Sequence, residues 1–299
     1  MDHMTSNSKF ETFYQKYYKL ILIIPAVILI LSLIYLYQFT GKNGDLIYKD
    51  VSLTGGTTIT VFDAKQDINI LKENLITQFP DLNIRSIKDI SLDTQKAFYV
   101  ESNTEVSSLK PALESFLGYE LTKENSSVEF SGQSLSEGFY KQLRFALIIA
   151  FILMALVVFA IFRTLVPSAA VIISAFADII MTVALIDFLG FRLSTAGIIS
   201  LLMLIGYSVD TDILLTTRLL KSSEDGSINK KIFGAFKTGM TMTLTAILAV
   251  GAALIVIYSL SDVLKQMFLI ILIGLGFDIL NTWITNASLL KWYLEAKKK

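Results

Sequence analysis

Six apolar runs constrain this chain more than anything else in it. Leu20–Phe39, Phe145–Phe162, Val166–Leu189, Leu193–Thr217, Met240–Leu260 and Val263–Leu290 are each long enough to be a spanning helix, since about 20 helical residues cross about 30 Å of hydrocarbon. One run precedes a polar block and five follow it. The chain therefore reads as an α-helical polytopic membrane protein with six transmembrane helices. Its segments are a cytoplasmic N-terminus (1–19), a first helix (20–39), an extracytoplasmic domain (41–140), a five-helix transmembrane domain (143–290) and a cytoplasmic tail (291–299). The first run is too long for a signal-peptide core and no small-residue cleavage site follows it, so it is expected to remain as an anchor.

Composition removes most other classes. Lys plus Arg equals Asp plus Glu at 26 each, so no overall basic field points to nucleic acid. There is no cysteine and one histidine, His3, which excludes thiol chemistry, Cys- or His-rich metal sites and a Ser-His-Asp triad. No Walker or GxGxxG motif appears. No enzyme, cofactor or metal is expected. Between Gly41 and Tyr140 lie 24 of the 52 charged side chains, so the polar block is a soluble domain between membrane segments.

Orientation follows from the basic residues near the helix ends. Lys9, Lys16 and Lys19 precede the first helix, Arg163 sits between the second and third, and Arg218, Lys221, Lys230, Lys231 and Lys237 flank the fourth-to-fifth loop. Lys291 and Lys297–Lys299 follow the sixth, whereas the opposite loops carry little beyond Arg192 and Lys265. Both termini are expected in the cytoplasm of a cell-membrane protein, with the polar block outside.

That block carries strand and helix signals. Thr57–Phe62 is β-branched and aromatic. Asp67 caps a helix with Ile68, Leu71, Leu75 and Phe79 on one face, ended by Pro80. Strand-like runs follow at Asn83–Ile90 and Lys96–Glu101. Ser107 or Ser108 caps a second helix with Pro111 in its first turn and Gly118 at its end, and Ser127–Phe130 is a last strand. The order β-α-β-β-α-β is the ferredoxin-like arrangement.

The chemistry-bearing residues lie inside the membrane. Asp178, Asp210, Asp212 and Asp278 fall well within spanning runs, and Asp187 near the outer end of the third. A central Asp costs roughly 2.5–3.5 kcal/mol on insertion scales, and intramembrane carboxylates commonly mark ion pathways. They also serve as plain helix–helix hydrogen-bonding groups. Asp210 and Asp212 are about 200° apart on a helix, so both cannot face one cavity and one should dominate. Gly206, one turn before Asp210, lets a helix approach closely. Thr238, Thr241 and Thr245 share a face after Lys237, and Asp278, Asn281, Thr285 and Asn286 form a second polar stripe. Protons suit these carboxylates, and sodium held by Asp210 and Ser208 is an alternative.

IGYSVDTDILLTTRLL in the fourth run, NTWITNASLLKWY at the end of the sixth, and TGGTTITV with Gly55 and Gly56 after the first resemble the archaeal-type SecF membrane proteins. These belong to the SecD/SecF family of the RND superfamily. The resemblance covers nearly the whole chain. It implies pairing with a SecD-like subunit in a twelve-helix assembly beside the Sec channel, where a proton gradient helps preproteins across. It also implies a relay of acids on the fourth helix and a basic residue on the fifth, matched here by Asp210, Asp212 and Lys237. Bacterial SecF usually reads Asn-Asp one position later, at Thr211, which leaves the role open between Asp210 and Asp212. Beside this energy-coupling subunit stand two alternatives: an RND-type half-transporter for small or lipidic substrates, and a passive assembly factor. The expected partners are thus the SecD-like subunit, the translocon, the translocating preprotein and membrane lipid.

Overall fold

The computed structural model describes residues 16–63, 65–88, 95–221, 227–258 and 261–297. Within them are six helices long and apolar enough to cross a membrane. Helix α1 (Ile23–Asn43) is the first, in a spanning stretch that begins at Lys16. The others are α5 (Gln133–Phe162), α6 (Leu165–Phe188), α7 (Thr195–Lys221), α8 (Ile228–Ile257) and a sixth that starts as α9 (Asp262–Leu280). The sixth passes through a π-helical segment, Asn281–Asn286, into α10 (Ala287–Lys297). Helices α6 and α7 are buried along most of one side, and α1, α5 and α8 form the periphery.

Between α1 and α5 sits the domain expected from sequence to be the outer one, with strands β1 (Gly56–Val61), β2 (Asn83–Lys88), β3 (Gln95–Ser102) and β4 (Ser126–Ser131) in the antiparallel order β2-β3-β1-β4. Helices α3 (Ile68–Leu75) and α4 (Val106–Leu117) cover one face. Alternation sends Ile59, Val61, Ile84, Phe98 and Val100 to that side, where they meet Leu71, Leu75, Leu109 and Leu113. This is the expected ferredoxin-like fold. A short helix α2 (Val51–Thr54) precedes it.

Several boundaries differ from the sequence expectation. Helix α3 stops at Leu75 and residues 76–78 continue as a turn, with Phe79 still in the core. Asp67 caps it as expected, accepting from Asn69 N–H at 2.8 Å. Helix α4 starts after Glu105 rather than at Ser107 or Ser108, which puts Pro111 in its second turn. The last two residues of the strand expected over 83–90 lie outside the described residues, as do residues 1–15, with Lys9 and His3, and Lys298 and Lys299.

The Gly-Gly pair has a steric reason. Gly55 (φ 84°) and Gly56 (φ 136°) hold backbone conformations that L side chains avoid. A Cβ on Gly55 would run into the Gln133 backbone, and one on Gly56 into Ser102 O and Asn103 Cα.

A seam joins the outer domain to the membrane helices. Leu193 N–H, in the α6–α7 loop, donates to Tyr48 O at 2.6 Å, and Asp50 N–H donates to Leu193 O at 3.0 Å. Tyr48 N–H reaches Asp187 Oδ1 at 3.3 Å, and Thr195 N–H reaches Ser52 Oγ at 3.1 Å. Beneath them Ile47, Leu53, Tyr140, Leu143, Ile186 and Leu193 are packed together. Asp187, near the end of the third spanning run, thus receives the chain that leads into the sheet domain.

Candidate functional site: a buried polar stack between three helices

Helices α6, α7 and the sixth bring Asp178, Asp212 and Asp278 together, each 0% exposed. Asn281 Nδ2 donates to Asp178 Oδ1 at 2.7 Å, and Ser208 Oγ donates to Asp178 Oδ2. Thr211 Oγ1 lies 3.0 and 3.3 Å from the two oxygens of Asp278, and Thr282 Oγ1 lies 3.1 Å from Oδ1. Asn286 Nδ2 donates to Asp212 Oδ1 at 2.7 Å. Among the described residues no ion pair reaches any of the three carboxyls. All their hydrogen-bond partners are neutral, and a charge buried without a counter-ion is costly. A proton gained or lost here therefore changes the packing energy of three helices at once.

The local sequence explains the assembly. Ser208, Thr211 and Asp212 fall at helical spacings of three and four on the inner face of α7. The π segment widens the sixth helix by one residue per turn. Within it Asn281, Thr282, Thr285 and Asn286 are all buried. Sequence reasoning named Asp278, Asn281, Thr285 and Asn286 but missed Thr211 and Thr282. Their hydroxyls sit in runs where Ser and Thr are common, and the π segment has no compositional signal.

Asp210 faces the other way. It is exposed on α7 with Met203, Gly206 and Tyr207, positions related by three, four and seven residues. Ser208 bonds Asp178 on the opposite side, so the sodium pairing of Asp210 with Ser208 is not formed. Among the described residues nothing beyond its own stretch of helix lies within 4 Å of a Cβ placed on Gly206. The close approaches made possible by glycine occur elsewhere, Gly274 taking the Leu204 side chain and Gly239 the Trp283 ring.

The stripe on α8 does not join the stack. Lys237, Thr241 and Thr245 are exposed, and both threonines donate to their own helix, to Lys237 O and Thr241 O at 2.8 and 2.7 Å. Of the polar residues picked out from sequence, those on α6, α7 and the sixth helix are thus brought together, and those on α8 are not. Arg218 Nη2 reaches Thr238 Oγ1 at 3.1 Å, which fixes the antiparallel register of α7 and α8. That register sets Thr241 and Thr245 near the level of Asp210, and Lys237 nearly two turns closer to the α7–α8 loop. Asp210, Thr241 and Thr245 therefore share one depth on the outside of the bundle.

Outside the spanning helices a further buried carboxylate stands under the sheet. Glu101 is 6% exposed and accepts from Asn83 Nδ2 at 2.6 Å. Burial pushes its pKa up to about 7, helped by the nearby Asp50 carboxylate and opposed by Asn83, Arg85 and Arg192.

Residues 113–296 match the family described as Protein export membrane protein SecD/SecF, C-terminal. The chain is 40% identical over 287 residues to Protein-export membrane protein SecF of Methanocaldococcus jannaschii, covering 93% of this chain and 96% of that one. It is 36% identical over 274 residues to the protein of that name from Methanolacinia petrolearia, covering 91% and 92%. Among solved structures, SecDF of Thermus thermophilus, a translocon-associated membrane protein, superposes with a TM-score of 0.74 at 19% identity. That match covers 98% of this chain and 40% of the other, so the present fold corresponds to under half of the longer protein.

Proposed function

The chain belongs to the SecD/SecF family of protein-export membrane proteins, and from that premise we propose that it is the SecF half of a complex with a SecD-like subunit. In this complex an ion gradient, with the proton as the coupling ion, assists preproteins at the Sec channel. The observation that carries this reading is the exposed stripe Met203–Gly206–Tyr207–Asp210. A carboxylate facing lipid in mid-membrane costs roughly 2.5–3.5 kcal/mol. A second protein covering that face removes the cost, and Gly206 leaves room for its helix. Protonation at Asp210 would then bias contacts between the two chains. The buried stack of Asp178, Asp212 and Asp278 would couple the same change to α6, α7 and the sixth helix. One charge moved through 100 mV is worth about 2.3 kcal/mol, enough to shift a two-state outer domain. Lys237, near the level of the α7–α8 loop, takes the place of the basic residue on the fifth helix.

Both termini would face the cytoplasm and the outer domain the exterior, where it meets the emerging polypeptide. The test is purification from native membranes followed by reconstitution. Recovery of a second six-helix chain is expected, together with secretion that falls when a protonophore collapses the gradient. Asp210→Asn should keep the partner and lose the gradient dependence. Recovery of an active monomer, or full gradient dependence in Asp210→Asn, overturns the reading.

A further inference from the structure

The sheet's own core explains only one of its faces. Ile84, Phe98 and Val100 point to α3 and α4, so alternation turns Asn83, Arg85, Tyr99 and Glu101 to the other side. Neither α3 nor α4 covers that side, yet Tyr99 and Glu101 are each 6% exposed. What comes close to it is the base of the domain, meaning the seam segment and the α6–α7 loop. Asp50 of the seam and Arg192 of the loop both lie near enough to act on the charge of Glu101, as does Arg85. The two arginines act on Asp50 as well, and Arg85 stacks 5.7 Å over the Tyr99 ring.

Two of these four charges belong to the sheet and two to the base. Asp50 is fixed to the membrane helices through its N–H to Leu193 O, and its Oδ1 caps α2 by accepting from Ser52 N–H at 3.2 Å. Gln266, on the first turns of the sixth helix, donates to Arg192 O and accepts from Ser194 N–H at 3.0 Å. The sheet joins this base through Gly55–Gly56 and through Gly132, and the two connections touch, since a Cβ on Gly55 would meet the Gln133 backbone. A body joined at one place and held by charge at another can tilt when the second hold fails. Among the described residues no ion pair within 4 Å reaches Glu101, and its hydrogen bond comes from the neutral Asn83 amide. The other charges nearby have partners of their own or stand apart. Asp45 pairs with Lys49 at 3.2 Å and accepts from Tyr140, Asp187 accepts from Tyr48 N–H, Asp81 accepts from Ser102, and Glu129 is exposed on β4. With the sheet down, burial and the Asp50 carboxylate outweigh Asn83, Arg85 and Arg192, so the pKa of Glu101 stands at about 7. With the sheet lifted into water the ordinary 4.5 returns. Closure is therefore strongest below about pH 4.5 and weakens as pH rises through about 7.

We propose that Glu101 and Arg85 on the sheet and Asp50 and Arg192 on the base form a proton-operated clasp, in which protonated Glu101 holds the sheet down on the membrane helices and ionised Glu101 lets it tilt on the Gly55–Gly56 and Gly132 connections. The proton comes from the compartment that the sheet domain faces. The clasp uses none of the intramembrane aspartates and no partner chain, so it stands or falls separately from the export reading.

The experiment uses the full chain, purified in detergent, with single cysteines placed in a sequence that has none. Thr58→Cys lies across from Glu101 on the same face of the sheet. Val100→Cys, at a position 0% exposed on the core side, reports unfolding of the sheet, and Asn103→Cys is the exposed reference. Reaction with a maleimide on a bulky polyethylene glycol is timed, and each rate is divided by that of Asn103→Cys at the same pH. The Thr58→Cys rate is expected to rise about 30-fold between about pH 5.5 and pH 8.5, the fold-change that a pKa of about 7 against 4.5 dictates. Val100→Cys should stay about tenfold or more slower than Thr58→Cys throughout, because tilting opens the clasp without opening the core. Adding Glu101→Gln should hold Thr58→Cys at its acid rate at every pH. Adding Asp50→Asn, whose amide oxygen still caps α2, should shrink the rise. A flat profile in the unmutated background, a rise undiminished in either variant, or equal rates at Thr58→Cys and Val100→Cys overturns the proposal.

Discussion

Asp210 and Asp212 stand two residues apart in α7 and look in opposite directions. Asp212 is fully buried against Asn286, whereas Asp210 lies exposed on the outer face of the bundle. One short stretch of helix thus presents a carboxylate to the interior of its own chain and another to whatever lies alongside. Substitutions at the two positions should separate accordingly. Asp210→Asn should leave the melting temperature of the purified chain unchanged. Asp212→Leu, which strands the Asn286 amide, should lower stability by about 2–3 kcal/mol. Thermal melts in detergent check this, and equal destabilisation by both would contradict the assigned facing.

Asp178 ties Ser208 to Asn281 and so joins three helices. Asp178→Ala leaves two buried donors without acceptors and is expected to cost about 2–4 kcal/mol. Asp178→Asn retains an acceptor oxygen and should cost clearly less. Denaturation of the two variants side by side measures the difference. Equal stability would mean that the bonds from Ser208 and Asn281 contribute little.

Two glycines should respond in opposite ways. Gly56→Ala forces a Cβ into the Ser102–Asn103 backbone at a positive φ and should cost about 2 kcal/mol or more, read as loss of folded protein. Gly206→Ala meets open space in this chain and should stabilise the helix slightly, by about 0.5–1 kcal/mol. Gly206→Leu should leave the isolated chain folded and weaken copurification of its partner. Undiminished partner recovery with Gly206→Leu would place the interface on another face.

The outer domain should be more stable in mild acid. The pKa of Glu101 lies near 7 in the folded chain against an ordinary 4.5, so the folded state binds its proton more tightly. That contribution is complete below about pH 4.5 and is lost as pH rises through about 7. Asp50, raised by burial beside it, acts in the same direction. Glu101→Gln should remove most of the slope between those pH values and raise stability at pH 8 by on the order of 1–3 kcal/mol. Amide exchange in β1–β3 followed against pH provides the measurement, and an unchanged slope in the variant would exclude Glu101 as its source.

The absence of cysteine makes the topology directly testable. A cysteine at Asn103, exposed beside β3, should be labelled only from outside, and one at Lys230, at the start of α8, only from the cytoplasm. Ser102 is 1% exposed and would be a poor probe. Labelling of Asn103→Cys in inverted vesicles only would reverse the orientation.

The fold was largely legible before the structure because its signals are local and long. Twenty apolar residues in a row leave few alternatives, and the outer domain declares itself through Asp67, Gly118 and strands that alternate. The site was legible only in part. Asp278, Asn281, Thr285 and Asn286 stand out as polar residues in an apolar run, but the π segment that carries the last three is a backbone event with no residue signature. The pairing of Asp178 with Asn281 spans 103 positions, and no periodicity within either helix reports it. The small residue Gly206 signals a close helix approach beside Asp210, but the space it leaves opens away from the chain. The α8 threonines misled because helical spacing defines a face without saying what it meets.

The seam at Leu193 has a mechanical consequence. Its N–H and C=O bind Tyr48 and Asp50 on either side, so the root of the outer domain is stitched to the hairpin of α6 and α7. A tug on that domain by a polypeptide strand would not be absorbed by a slack hinge. The load would pass into the two helices that carry Asp178 and Asp212, and strain applied outside would be felt as a change of spacing around those carboxyls.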